Sequence, residues 1–159
     1  MRITGIDAST GKQVTIESAD ANKDFVEAMM NFSLSEEDIK HLIDKLDVSA
    51  DIKSALFTFS RTTIRIGQSV LKIGRKIIDY IATIFKEFPN ASFGMIFGAI
   101  VGFLISSIPF IGVVLGPIVT PIIIALGMIV GVYNDIQDKA LLRRITEVNS
   151  SFYALRTAG

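Results

Sequence analysis

From Phe93 to Tyr133 the chain runs for about 40 residues without one charged side chain. The stretch reads FGMIFGAIVGFLISSIPFIGVVLGPIVTPIIIALGMIVGVY. A helix that crosses a bilayer needs roughly 20 apolar residues, so the run is long enough for two. Ser106, Ser107, Pro109, Gly112, Gly116 and Pro117 punctuate its middle, and such residues interrupt a helix where a turn is needed. The expectation is a transmembrane helical hairpin over residues 92–134, with Ser106, Ser107, Pro109 and Pro117 forming the turn region. With the turn at Ser107–Gly112, the first arm has about 15 residues and a length of roughly 23 Å, near the short limit for a span. A surface helix keeps a polar face, and neither arm has one. A chain of 159 residues is also small for wrapping two all-apolar helices. The fold class expected is therefore a mainly α membrane protein. Its central hydrophobic helical hairpin is flanked by amphipathic helices, with a small β-hairpin at the N-terminus.

Glycine spacing adds a packing expectation. Gly94, Gly98 and Gly102 recur every fourth residue, and Gly112/Gly116 and Gly127/Gly131 repeat that spacing. Small residues so placed let helix backbones approach closely in lipid. They pack either the two arms of one hairpin or one subunit against the next.

Hydrophobic residues make up 50% of the chain and the formal net charge is zero, but the charge is unevenly placed. Residues 1–50 hold five basic and ten acidic side chains, and residues 51–92 hold seven basic and three acidic. This places an acidic head before a basic segment. There is no cysteine, hence no disulfide framework and no thiolate metal site. The opening MRITGIDASTGKQ has no apolar core of a secretory signal.

In chain order, Arg2–Ile6 and Gln13–Glu17 alternate as strands around the turn-forming Asp7–Lys12. Two strands alone are marginal in water, so this hairpin needs a partner. Thr10-Gly11-Lys12 lacks the full phosphate-loop pattern and is not read as one. Asp20 caps a short helix from Ala21 to about Asn31. Ser35-Glu36-Glu37-Asp38 opens the next with a capping-box relative. His41, the only histidine, lies off the apolar stripe of that helix and reads as a solvated residue. Ser49 caps a long basic amphipathic helix over residues 49–88, ended by Pro89. Its stripe Ile66, Val70, Ile73, Ile77, Tyr80 and Ile84 is close to a heptad. Its cations Arg61, Arg65, Lys72, Arg75 and Lys76 are candidates to grip anionic lipid or ring a pore mouth. Residues 135–159 form a C-terminal amphipathic helix and tail.

Basic residues flank the apolar run on both sides, and basic flanks stay cytoplasmic. An even number of spans follows. The expected location is a membrane, the bacterial inner membrane, with both termini cytoplasmic.

The hairpin and its exit, PIIIALGMIVGVYNDIQDKALLRRI from Pro121 to Ile145, resemble the hydrophobic hairpin that ends the pore-forming colicin domain. The matching positions are Gly127, Gly131, Asp135, Asp138 and Lys139, within a resemblance covering residues 92–148. The departures are the β-hairpin at the front and the longer tail. The resemblance implies a hairpin that enters a membrane and makes it leak.

No enzyme is expected: there is no cysteine, a lone histidine, no phosphate loop, and no residue set for a cofactor or metal. The functional expectation is a small homo-oligomeric membrane protein, a toxin-like pore-forming effector or ion channel that permeabilises or depolarises a bacterial membrane. Ser106, Ser107 and Thr120 are its candidate pore-lining residues. The alternative is a membrane anchor or adaptor that recruits a cytoplasmic protein through the acidic residues 1–48. The lipid bilayer is the expected partner in both. Nucleic acid is not expected, since the cationic segment lacks the signatures of a known module.

Overall fold

The computed structural model describes residues 1–126 and 138–156. Two strands, β1 (Arg2–Ile6) and β2 (Gln13–Glu17), are followed by α1 (Lys23–Met30), α2 (Glu36–Lys45) and α3 (Ala50–Ser60). A second pair of strands, β3 (Ile64–Ile66) and β4 (Ser69–Leu71), leads into α4 (Ile73–Glu87). The apolar run then supplies α5 (Phe93–Ser107) and α6 (Pro109–Ala125), and α7 (Lys139–Ser150) follows.

The strands form one antiparallel sheet in the order β2-β1-β3-β4. The β1–β2 loop is built by Asp7, whose carboxylate accepts from the Ser9 amide at 2.8 Å and the Ser9 hydroxyl at 2.6 Å. Gly11 supplies the positive φ of 72° that the loop needs. These hydroxyl and amide donors hold the Asp7 carboxyl below the ordinary carboxylate range. The partner that the first hairpin requires is β3, with Ile3 opposite Ile66 and Thr4 opposite Arg65.

That pairing overturns the long helix expected from Ala50 to Phe88. Helix formation stops after Ser60, and Ile64-Arg65-Ile66 alternates buried, exposed, buried across the sheet. Gly67, at φ 59°, takes the first central position of the two-residue turn between Ile66 and Ser69. The helix then restarts at Ile73 and ends before Pro89 as expected. Ile66 and Val70 belong to strands, so the stripe read as a heptad is a helical stripe only from Ile73 onward.

The apolar run folds as a hairpin, but inside the protein. Alpha-5 ends at Ser107, Ile108 is buried between the arms, and Pro109 opens α6 at the first helical position. Pro117, expected in the turn, lies within α6. A proline has no amide for the carbonyl four residues earlier. Here that carbonyl, on Val113, accepts from the Ala8 amide of the β1–β2 loop at 3.3 Å.

The transmembrane expectation fails on length and on packing. Alpha-5 has 15 residues and α6 has 17, about 23 and 26 Å at about 1.5 Å per residue, against a hydrocarbon core of about 30 Å. Among the described residues, no helix is long and apolar enough to cross a membrane. Ile96, Phe97, Ala99, Ile100, Val101 and Leu104 of α5 are buried in the protein's own core. The fold class of a membrane protein, its transmembrane and pore-forming character, and the location across a bacterial inner membrane are corrected accordingly. The physical reason is that α3, α4, α7 and the sheet together supply the apolar faces that cover the hairpin. Phe97 lies 5.7 Å from the Phe59 ring of α3 and 6.1 Å from Phe93. Gly5 lets β1 approach α6 so closely that a Cβ there would stand 2.7 Å from Val114 Cγ2.

Alpha-7 closes the core from the other side. Asp138 caps it, accepting from the Ala140 and Leu141 amides, and Leu141, Ile145 and Val148 turn inward. Arg144 forms a forked ion pair with Glu87 of α4, at 2.9 and 3.2 Å. The Phe152 ring meets Tyr80 edge-on at 5.8 Å.

Candidate functional site

The segment between α3 and α4 is short because the β3–β4 hairpin returns the chain to where it left. Gly74 makes the return possible. A Cβ at Gly74 would lie 1.8 Å from the Phe59 carbonyl oxygen of α3, so only glycine permits this crossing. The last turn of α3 is thereby pressed against the first turn of α4. The flank of α2 closes the third side.

A cavity of about 230 Å³ opens at this junction, lined by Glu36, Ile39, Lys40, Phe57, Ser60, Arg61, Thr63, Lys72 and Arg75. Four cations and one carboxylate therefore face a common space. Lys40, Arg61 and Lys72 are exposed at its rim and Arg75 is half-buried. Lys72 is the residue before α4 and Arg75 lies in its first turn, so the positive end of the α4 dipole borders the same space. The Lys72 side chain, at the N-cap position, makes no capping hydrogen bond among the described residues. Ile39 and half-buried Phe57 contribute an apolar wall. The Ser60 hydroxyl donates to the Phe57 carbonyl at 2.7 Å.

Arg75 is held rather than loose. Its guanidinium lies 3.9 Å from the centre of the Phe32 ring and donates through Nη2 to the Leu34 carbonyl at 3.2 Å. Its Nε is buried without a hydrogen-bond partner among the described residues. A buried donor with no acceptor is costly, so the stacking on Phe32 and the hydrogen bond to Leu34 hold Arg75 against that cost.

Behind Arg75, two further α4 residues grip the α1–α2 connection. Asp79, 1% exposed, accepts from the Ser33 amide at 3.0 Å and the Leu34 amide at 2.8 Å. Lys76, 5% exposed, donates to the Asn31 carbonyl and lies 4.7 Å from the Tyr80 ring centre. Burial pushes the Lys76 amine below its usual value, and the Asp79 carboxylate partly opposes that shift. This clamp fixes the entry to α2, and Ser35 with Asp38 then completes the capping box.

Of the five cations expected to face lipid or a pore mouth, Arg61, Lys72 and Arg75 meet at the cleft. Arg65 points outward from β3, and Lys76 belongs to the buried clamp. Lys40 and Phe57 were not singled out by the sequence, and Glu36 was read only as part of the α2 cap; they come from elements that meet only in three dimensions.

The glycine expectation divides. A Cβ at Gly112 would meet the Ile105 carbonyl oxygen at 2.9 Å, so this position packs one arm of the hairpin on the other. Gly102 and Gly116 have open space beside them, and Gly94 and Gly98 are half-buried. Gly127, Gly131 and Asp135 lie outside the described residues. The exposed Ser106 and Thr120 turn their hydroxyls to the Phe103 and Gly116 carbonyls of their own helices, at 3.1 and 3.0 Å. Ser107 is exposed at the end of α5. These three residues line no cleft with the cations. His41 is exposed on α2.

Comparison with family models, curated proteins and solved structures finds no match for the chain. The functional reading accordingly rests on the cleft.

Proposed function

We propose that the protein is a non-catalytic binding module that takes a phosphate-bearing anion at the junction of α2, α3 and α4. The observation that supports this reading is the charge balance of the cavity: Lys40, Arg61, Lys72 and Arg75 against Glu36 alone. Guanidinium groups present planar forks that match phosphate oxygens, and ammonium groups add point charge. Arg75 is already oriented by Phe32 and Leu34, which lowers the ordering cost of binding. Binding rather than catalysis fits the lining, since the Ser60 hydroxyl is committed to its own helix and His41 lies elsewhere.

Titration with inorganic phosphate and pyrophosphate at low salt, followed by calorimetry, tests this. Arg61→Gln combined with Lys72→Gln should weaken binding about tenfold or more, ~1.4 kcal/mol or above. Affinity should also fall with added salt, because both side chains are exposed. Equal affinity of the variant and the unchanged protein, or no binding of phosphate, pyrophosphate or anionic vesicles by the unchanged protein, would refute the reading. Vesicles of anionic phospholipid form a second arm. Binding to vesicles without binding to free phosphate identifies a headgroup as the source of the anion. Dye release from those vesicles would instead favour the permeabilising activity expected from the sequence.

A further inference from the structure

Resting on the reading of the cleft as a phosphate site, we infer that its ligand is a small soluble organic phosphate whose ester group is apolar, an aryl or alkyl phosphate rather than the bare ion. Neighbouring residues of α3 show why Phe57 is informative. Leu56 and Phe59 are wholly buried in the core, while Phe57 between them is half-buried and lines the cavity beside Arg61 and Arg75. Ile39 of α2, 3% exposed, lines it too. A bare phosphate has no apolar surface to offer Phe57 and would lose hydration against it. An ester with an apolar group would cover the exposed part of Phe57 and remove it from water. Room is sufficient: the cavity measures about 230 Å³, and an apolar cavity of about 150 Å³ accepts a benzene ring. The cations Lys40, Arg61, Lys72 and Arg75 would sit on the phosphoryl oxygens.

The test compares phenyl phosphate, inorganic phosphate and phenol on the full chain by calorimetry, with chemical-shift changes of the arginine side chains locating the site. Phenyl phosphate should bind about tenfold more tightly than phosphate, and phenol alone should not bind measurably. Phe57→Ala should abolish that preference, read as the ratio of phenyl phosphate to phosphate affinity falling from about tenfold to about one. Phe57→Leu, which keeps an apolar side chain for folding, should retain part of it, and thermal melts confirm that each variant is folded. Phosphate binding as tightly as phenyl phosphate would overturn this inference and leave the anion site standing. Binding of neither phosphate nor phenyl phosphate nor phosphatidate vesicles would overturn both. Binding only to phosphatidate vesicles, with none to phenyl phosphate, would contradict the soluble ester.

Discussion

Lys76 carries a charge into the core for a structural purpose, and that has a measurable consequence. Its amine is pushed below 10.5 by burial. Between the folded value and 10.5 the unfolded chain therefore binds more protons than the folded one, and stability from this group rises with pH in that window. Below the folded value both states are charged and the penalty of burial is present in full. Lys76→Met removes this titration. Urea midpoints measured from neutral pH toward 10.5 should rise for the unchanged protein relative to the variant. Parallel profiles would show that Lys76 is solvated in the folded state. The sequence offered Arg75 and Lys76 as two adjacent surface cations. Nothing local distinguishes them; the Asp79 carboxylate and the Asn31 carbonyl that draw Lys76 inward are, in the second case, 45 residues away.

At the scale of elements, most caps and turns were legible because their chemistry is local, although Asn22 and not the expected Asp20 caps α1, which begins at Lys23. Ser35, Ser49, the Asp7–Gly11 turn, Pro89 and Pro109 all act within a few residues of themselves. The β3–β4 hairpin was not legible. Its strands have three residues each, and Ile66, Val70 and Ile73 satisfy a heptad as well as they satisfy a sheet. Gly67 between them was the available signal, since glycine weakens a helix interior by about 1 kcal/mol. Glycine spacing misled in a similar way. Gly102 and Gly112 each belong to a set with the same four-residue spacing, yet one faces open space and the other a carbonyl oxygen at 2.9 Å. Gly102→Ala should therefore stabilise the fold by up to about 1 kcal/mol through helix propensity. Gly112→Ala should destabilise it by about 1–3 kcal/mol through overpacking. Chemical denaturation of the two variants decides this. Changes of the same sign would mean that the arms are not packed as described.

For the whole molecule, the charge-free run correctly announced a helical hairpin, while its surroundings could not be read from the run itself. An apolar helix has the same sequence whether lipid or protein covers it. What decided the matter lies elsewhere in the chain: Leu56 and Phe59 on α3, Ile77, Ile78 and Ile81 on α4, and Leu141, Ile145 and Phe152 at the end. Each of these segments looks only moderately apolar, but together they bury α5 on several sides. The cleft was legible in part, through Arg61, Lys72 and Arg75, because basic residues cluster in that segment. Its apolar wall and Lys40 depended on how α2 packs, which the α4 clamp sets.

Hydrogen exchange of the α5 amides in buffer free of detergent and lipid tests the central claim, that the hairpin is the protein's own core. Amides from Ile96 to Leu104 should exchange only through global unfolding, as slowly as those of Ile77, Ile78 and Ile81, and adding vesicles should leave them unchanged. Fast exchange in plain buffer, with protection gained only when vesicles are added, would contradict the account.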